Sequence, residues 1–289
     1  MSNLYDWLSD PREPANSPHD EALPAYLFRY LAPDGLLHTI QSRALRMNAW
    51  SQMNDPREAR QWVPRGELRA SGSYHTEALM LHVDSVLRRS ARLLSLTEDR
   101  RPTTEESERF LFHRGWARAA MWAHYADSHR GVCLVLETAA LMEAVRNMPA
   151  RLGRYTTWGR VRYADVPITI GLAGSFADQS ALDDALENFL DQRYTISDLH
   201  MLKNTDWSDE MEVRLATIDL SLSEIEMDKP LSFPIGACLR GVVFGDAHAS
   251  PQLVASGIRS EMGTAAPEMF LCRWTDGLPN LQAFEGRPS

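Results

Sequence analysis

Apolar and polar positions along the chain follow two periods, one typical of strands and one typical of helices. Alternating or continuous apolar runs predict strands at 26–30, 45–50, 94–97, 159–163, 210–219, 239–244 and 270–274. Apolar positions at helical spacing predict helices from Pro33 onward and at 77–94, 107–128, 139–147, 180–203 and 251–258. Because the two kinds of element are mixed without strict alternation, we predict an α+β fold. Its mixed β-sheet, whole or split, should be flanked by helices.

The N-terminal 24 residues differ in composition from the rest of the chain. Four prolines lie there among acidic and small residues, which is typical of a flexible arm with no core of its own. No linker rich in proline or glycine divides residues 25–289, so we predict that they form a single domain. No basic start precedes an apolar stretch, and no apolar run approaches the roughly 20 residues that span a bilayer. We therefore expect a cytoplasmic protein that does not bind membranes.

Composition narrows the class of partner. The chain has 289 residues, of which 44% are hydrophobic and 24% charged, as is ordinary for a globular protein with a sizeable core. A net charge of −9 argues against sequence-independent binding along a nucleic-acid backbone. Cys133, Cys238 and Cys272 lie in apolar runs without metal-binding spacing, which favours buried thiols in a reducing compartment. We predict no metal site, and the oligomeric state stays open.

One dense stretch of polar and aromatic residues is Met-Trp-Ala-His-Tyr-Ala-Asp-Ser-His-Arg-Gly at 121–131, here called the His-Tyr motif. We expect its helix to run to His129, with Gly131 as a left-handed stop before an apolar strand. Polar groups at such a junction tend to line a cleft, so His124 and Tyr125 are candidate site residues. The alternative is a well-satisfied structural turn.

A second stretch, residues 203–214, is here called the Lys-Glu segment. Glu210, Glu212 and Arg214 alternate on the predicted strand, so all three side chains should project to one face. Two carboxylates held that close repel each other unless a cation or a polyhydroxyl ligand lies between them. Lys203 is conspicuous because the only other lysine is Lys229. A solvated strand face with an Arg–Glu pair is the alternative.

Together these blocks resemble the bacterial family of domains of unknown function DUF2971. The resemblance covers roughly residues 25–245 and rests on the His-Tyr motif, the Lys-Glu segment and three shorter blocks: Tyr-Leu-Phe-Arg-Tyr at 26–30, Met-Asn-Asp-Pro at 53–56 and Val-Val-Phe-Gly at 242–245. The chain departs from the family pattern at Met53, where an aromatic residue is commoner. The family name implies no activity.

A weaker likeness is to ADP-ribosyltransferases, in the order of three polar residues. It implies that Arg29 on the first strand binds the dinucleotide, that Ser51 contacts the nicotinamide ribose, and that Glu212 stabilises the cationic transition state. Glu210 would position the nucleophile. The likeness thus implies an NAD-dependent transferase or NAD glycohydrolase, with NAD as substrate.

Further residues complete this predicted site. We expect His124 and Tyr125 to hydrogen-bond the nicotinamide amide or the acceptor. We expect Asn54, Lys203 and Arg214 to bind the nucleotide-like molecule. The macromolecular acceptor is not identified by the sequence. By analogy with enzymes of this kind, a toxin or anti-phage defence effector is the expected role.

Two other classes stay open. A metal-dependent hydrolase or nuclease would use His124, Asp127 and His129 with Glu210 or Glu212. However, the two histidines lie about 140° apart on a helix, and no zinc-protease or paired-cysteine pattern occurs. A non-catalytic sensor or interaction module of a stress or defence operon would use both motifs as scaffolding. No glycine-rich phosphate loop is present, which argues against ATPase and Rossmann folds.

Overall fold

The computed structural model describes residues 3–10, 23–60, 68–71, 75–100, 110–149, 155–167, 170, 172–192 and 199–284. Its strands are β1 (Tyr26–Leu31), β2 (Ala44–Ala49), β3 (Leu68–Ala70), β4 (Ala91–Thr97), β5 (Val132–Glu137), β6 (Thr156–Arg160), β7 (Arg162–Tyr163), β8 (Gly174–Phe176), β9 (Leu202–Lys203), β10 (Glu212–Ile218), β11 (Leu231–Pro234), β12 (Leu239–Phe244), β13 (Glu268–Thr275) and β14 (Leu278–Ala283). Its α-helices are α1 (Leu4–Ser9), α2 (Pro33–Ser42), α3 (Pro56–Ala59), α4 (Thr76–Asp84), α5 (Ala119–Tyr125), α6 (Thr138–Arg146), α7 (Gln179–Leu190) and α8 (Pro251–Met262).

A ten-stranded mixed sheet organises the molecule. Its strand order is β11-β2-β4-β1-β5-β12-β13-β14, and β10 and β6 extend it from the other edge of β4. Strands β12 and β13 run parallel, and the remaining pairs of this sheet run antiparallel. The pairs β3-β8 and β7-β9 form two small separate sheets. The predicted mixture of helices with a mixed sheet is confirmed.

The centre of this sheet contains a gap along one edge of β4. Strand β10 pairs with all of β4 on one edge, whereas β2 and β1 share the other edge, through Asn48 opposite Leu93 and Phe28 opposite Thr97. Between these pairings, no described strand bonds that edge. The Arg29 guanidinium fills the space, donating to the carbonyl oxygens of Ser95 at 2.9 Å and Arg46 at 3.0 Å.

The two faces of the sheet at β4 and β10 are covered differently. The closed face, defined by Leu94, Leu96, Val213 and Leu215, belongs to one continuous apolar core beneath α2, α6 and α8. Consecutive strand residues point to opposite faces, so these residues alternate with those of the other side. Burying both faces makes the strands read as continuous apolar runs in sequence.

The open face is defined by Leu93, Ser95, Thr97, Glu212 and Arg214. Two separate apolar clusters cover it, one beneath α4 and α7 and the other beneath α1 and α5. The polar side chains of β4 and β10 lie between these clusters. The buried pair of Glu212 and Arg214 therefore lies on this face, where the two apolar clusters are separate.

The structure differs from the flexible arm predicted for residues 1–24. Residues Leu4–Ser9 form α1, which Asn3 caps by accepting a hydrogen bond from the Asp6 backbone N–H at 2.8 Å. Leu4 and Leu8, four residues apart on one helix face, are both buried. The Trp116 indole donates to the carbonyl of Leu8 at 3.1 Å. The local proline content concealed this short amphipathic pattern, and residues 11–22 lie outside the described part.

Three predicted helices are shorter in the structure. The helix predicted at 77–94 ends at Asp84 and continues as a π-helical turn, Ser85–Arg89, before β4. The helix predicted at 107–128 is α5 alone, and the one predicted at 180–203 is α7 followed by β9, with 193–198 outside the described residues. Short buried strands and buried helices share continuous apolar runs, so periodicity did not separate them. No described helix is long and apolar enough to cross a membrane.

Candidate functional site

A cavity of about 160 Å³ opens on the open face, between its two apolar clusters. Strand β4 forms its floor, and the segment after β2, helix α5 and the Lys-Glu segment form its walls. The residues that line it are Phe28, Arg29, Tyr30, Asn48, Gln52, Met53, Asn54, Glu58, Leu93, Ser95, Leu96, Thr97, Met121, Tyr125, Lys203, Glu210 and Glu212. Six predicted site residues are therefore brought together here: Arg29, Asn54, Tyr125, Lys203, Glu210 and Glu212.

Strand β10 supplies a buried ion pair at the base of the cavity. Glu212 and Arg214 alternate on this strand and therefore share the open face, as predicted. The Arg214 guanidinium holds the Glu212 carboxylate through Nε at 2.6 Å and Nη2 at 2.9 Å. Arg214 is completely buried and donates a third bond to the carbonyl of His200. It thus lies behind Glu212 and does not line the cavity, contrary to the predicted role in binding the nucleotide.

Glu210 reaches the same place from a different backbone element. The prediction that it shares a strand with Glu212 is wrong, because Glu210 ends a 3₁₀ helix, Thr205–Glu210. Met211 then adopts a left-handed conformation with φ of 45°, which turns the chain into β10. The turn keeps the two carboxyl groups close in space although they leave different elements.

Lys203 lies between the two carboxylates. Its Nζ is 2.6 Å from Oε2 of Glu210 and 3.4 Å from Oε2 of Glu212. The ammonium also lies 4.6 Å from the centre of the Trp207 ring, close enough for a cation–π contact. The cation needed between these two adjacent carboxylates is therefore Lys203, whereas Arg214 pairs with Glu212 and Glu58.

Glu58 is a site residue that sequence reasoning missed. It lies on α3, whose first turn is capped by Asp55 through the backbone N–H of Arg57 at 2.9 Å. Glu58 is completely buried, and its Oε1 is 2.5 Å from Nη1 of Arg214. Its Oε2 has no hydrogen-bond partner in the described structure. The available signal was its position directly after the Asn-Asp-Pro turn, in the first turn of a helix.

Tyr125 connects the ion pairs to the cavity mouth. It is the last residue of α5, and its hydroxyl donates to Oε1 of Glu210 at 2.5 Å. Asn54 lies on the cavity wall formed by the segment after β2, and its side chain is exposed. A continuous set of contacts therefore runs from Glu58 at the base to Tyr125 at the mouth. We call Glu58, Lys203, Glu210, Glu212 and Arg214 the ion cluster.

The carboxyl groups of the ion cluster differ in proton affinity. Burial alone would raise the pKa of Glu212, but Arg214 and Lys203 outweigh burial and lower it to about 2. For Glu210, burial and repulsion from Glu212 raise the pKa above its usual value. Burial likewise raises the pKa of Glu58, against the opposing effect of Arg214. The cluster holds three carboxyl groups and two cations, and the two cations lower the pKa of only one of these carboxyl groups, Glu212, below its usual value.

Arg29 and Ser51 are placed differently from the roles predicted for them. The terminal nitrogens of Arg29 donate to backbone carbonyls, so its fork is not directed at a pyrophosphate. Burial lowers the pKa of Arg29 to about 10. Ser51 lies in a 3₁₀ helix, Trp50–Gln52, and its hydroxyl donates to Asp228 away from the cavity. The tight turn after β2 rotates Ser51 outward, which strand periodicity did not indicate.

The His-Tyr motif folds as a compact turn. The helix ends at Tyr125, four residues before the predicted end, and Asp127, Ser128 and His129 have positive φ values of 48°, 53° and 68°. The prediction of Gly131 as the left-handed residue is wrong. Glycine is required there for space, because a Cβ would lie 2.1 Å from the carbonyl oxygen of Leu31.

Apart from Tyr125, the polar side chains of this motif do not line the cavity. His124 is exposed and packs edge-on against the Tyr125 ring, but it is not among the residues that line the cavity. Asp127 and Arg130 form an exposed pair three residues apart. Among the described residues, no group of three or more His, Cys, Asp or Glu side chains is arranged to hold a metal ion.

Comparison with known proteins supports the family inferred from the motifs. Residues 121–215 match the family described as "Protein of unknown function (DUF2971)", which confirms that resemblance over this part of the chain. The matched segment runs from the first residue of the His-Tyr motif through Arg214, so it contains both motifs. Neither a curated protein nor a solved structure matches the chain.

Proposed function

We propose that the cavity is the active site of an enzyme that cleaves the N-glycosidic bond of NAD or a similar nucleotide. The products would be nicotinamide and ADP-ribose, the latter passed to water or to an acceptor as in ADP-ribosyltransferases. One observation carries the proposal: Glu210 and Glu212 line one cavity with opposite pKa shifts. Paired carboxyl groups with separated proton affinities are typical of acid–base chemistry.

Each carboxyl group has a distinct role in this reaction. As the C–N bond breaks, its electron pair leaves with nicotinamide and positive charge develops on the ribose. Glu212 stays ionised at neutral pH and supplies the negative charge that stabilises this cation. Glu210, whose pKa is raised, accepts the proton of the attacking hydroxyl group as the new C–O bond forms.

Tyr125 and Lys203 would tune Glu210. Both contact its carboxylate, through Oε1 and Oε2 respectively. The hydroxyl fixes the orientation of the carboxylate towards the cavity, and the ammonium stabilises its ionised form. Arg214 holds Glu212 from behind and is itself paired with Glu58, so these two residues would act on the reaction through Glu212.

The size of the cavity supports one ring as its occupant. Its volume of about 160 Å³ is close to the roughly 150 Å³ of a protein cavity that holds one benzene molecule. A whole dinucleotide is much larger, so the adenosine portion would lie outside, along the cavity mouth. This arrangement places the bond between ring and ribose near Glu210 and Glu212.

The experiment is an NAD consumption assay on the purified protein. Nicotinamide release, followed by chromatography, should occur with the wild type and fall at least 100-fold in Glu210→Gln, the size of effect typical for a lost general base. Glu261→Gln is the matched control, because Glu261 is exposed on α8, outside the lining of the cavity. Equal rates in wild type and Glu210→Gln would refute the assignment.

A non-catalytic ligand sensor is the second candidate. One observation favours it: each cation of the ion cluster contacts two carboxyl groups, as expected for charges whose role is structural. A sensor would bind NAD or ADP-ribose without consuming it.

If the enzyme proposal holds, NAD loss would also make overexpression toxic to bacteria, and Glu210→Gln would abolish that toxicity. That outcome would support the toxin or defence role.

A further inference from the structure

One side chain that lines the cavity carries a carboxamide that no described group engages. Asn48 lies on β2 opposite Leu93, on the open face, and is half-buried. Its carboxamide lines the cavity and forms no hydrogen bond to any described residue. A carboxamide carries two donors and one acceptor, so it pairs in a planar, two-bond arrangement with another carboxamide. An unused group of this kind inside a cavity points to a ligand.

The cations that line the cavity are already engaged. Lys203 contacts Glu210 and Glu212, and both terminal nitrogens of Arg29 donate to carbonyl oxygens. Among the described lining residues, no cation therefore presents a terminal nitrogen free to pair with an anion. Three carboxyl groups line the same space. A negatively charged group entering the cavity would meet repulsion without a compensating partner.

Apolar side chains leave room for a flat ring beside Asn48. Phe28, Met53, Leu93 and Met121 line the cavity from four different segments. Aromatic and methionine side chains pack favourably against planar rings. The walls therefore favour a planar group that is uncharged or cationic. Asn48 favours a group that carries a hydrogen-bond donor and an acceptor side by side.

We infer that Asn48 is a specificity-determining residue that recognises a ring-borne carboxamide, and that the cavity discriminates against the corresponding carboxylate. The inference rests on the proposed function for its substrate, whose departing group is nicotinamide. It assigns the nicotinamide end of the substrate to the cavity and excludes the phosphates from it.

Binding of two small probes tests this inference without any reaction. Nicotinamide and nicotinate share one ring and differ in carrying an amide or a carboxylate. Titration followed by ligand-observed NMR should show saturable nicotinamide binding, with nicotinate at least tenfold weaker. Equal or tighter binding of nicotinate would overturn the inference, as would the absence of saturable nicotinamide binding.

Two substitutions assign the effect to Asn48. Asn48→Ala removes both hydrogen bonds and should weaken nicotinamide binding about tenfold. Asn48→Asp keeps the shape and should also weaken it, because a carboxylate cannot donate to the amide oxygen. Asn188→Asp, on the exposed side of α7, is the control and should leave binding unchanged. Circular dichroism confirms that each variant is folded; should Asn48→Ala not fold, the isosteric Asn48→Asp carries the test.

The outcomes separate this inference from the catalytic proposal. If nicotinamide binds as expected but NAD is not consumed, the catalytic proposal fails and the assignment of Asn48 stands. If NAD is consumed but both Asn48 variants bind nicotinamide as the wild type does, the assignment fails and the catalytic proposal stands.

Discussion

The His-Tyr motif and the Lys-Glu segment are both rich in polar residues but place their charged groups in opposite environments. In the His-Tyr motif, the charged pair of Asp127 and Arg130 is exposed. In the Lys-Glu segment, Lys203, Glu212 and Arg214 are buried at the base of a cavity. A motif dense in chemical groups thus marks either a turn or a site, and its position relative to the sheet decides which.

The His-Tyr motif acts chiefly through its aromatic and backbone groups. The Trp122 indole donates to the carbonyl of Trp116 at 2.8 Å, and the His129 ring stacks on Trp122. These contacts hold α5 against the open face, where Met121 and Tyr125 line the cavity. The motif therefore positions one functional hydroxyl, that of Tyr125, whereas the Lys-Glu segment supplies three charged groups to the cavity lining.

The largest expected effect comes from the buried cation. Arg214→Met leaves Glu58 and Glu212 buried without their guanidinium, which should lower the free energy of unfolding by about 3–5 kcal/mol. Urea denaturation measures it. Arg130→Met, in the His-Tyr motif, removes an exposed pair and should give no measurable change. Similar losses in the two variants would contradict the contrast between the motifs.

A smaller stability effect is expected at the turn of the His-Tyr motif. Gly131→Ala places a Cβ against the backbone of Leu31, which should destabilise the protein by about 1–3 kcal/mol. Gly257→Ala on α8 meets no atom within 4 Å. Because glycine disfavours a helix interior, this control should gain about 0.5–1 kcal/mol. Thermal denaturation should show a lower melting temperature for Gly131→Ala and a higher one for Gly257→Ala. Equal shifts of the melting temperature would show that the turn is not tightly packed.

Substitutions at the neighbouring residues His124 and Tyr125 should affect activity differently, because only Tyr125 lines the cavity. Tyr125→Phe removes the hydroxyl bound to Glu210 and should lower the rate of NAD consumption about tenfold, as expected for one charge-assisted hydrogen bond. His124→Ala should leave both the rate and the melting temperature unchanged, because His124 is exposed. A loss of activity in His124→Ala alone would place the reaction elsewhere.

The smallest expected effect is a pH dependence of stability. The folded-state pKa of Glu210 lies above its usual 4.5, so its ionisation costs stability as the pH rises through that folded value. Glu210→Gln lacks this cost, and its stability relative to wild type should increase from mildly acidic towards neutral pH. Denaturant midpoints across this range measure the trend, and a relative stability that falls with rising pH would contradict it.

Glu212 should behave in the opposite way. Its pKa of about 2 lies below the usual 4.5, so the stability it contributes is present above about 4.5 and is lost as the pH falls towards 2. The wild type should therefore lose stability over this acidic interval, whereas Glu212→Gln should show a shallower dependence. Glu212→Gln is also expected to be less stable throughout, because it weakens the pair with Arg214.

Prediction of the fold from sequence succeeded where the local pattern had one interpretation. The strands β1, β5 and β12 and the helices α6 and α8 lie close to their predicted positions. It failed at Ser85–Arg89 and β4, because an apolar run buried on two faces has the same composition as a buried helix. For the site, Glu58 was missed because nothing near it in sequence shows that α3 lies against Arg214.

The sequence by itself determined which groups are available: the alternation of Glu212 with Arg214, a lysine in the same segment, and the two motifs on which the family resemblance rests. These are local properties, set by strand periodicity and side-chain chemistry. Only the tertiary structure decided that Arg29 fills a gap in the sheet, that Ser51 and His124 turn away, and that Glu58 and Asn48 enter the cavity. Such contacts join segments far apart in the chain, and they depend on how the strands pair and on where the apolar packing stops.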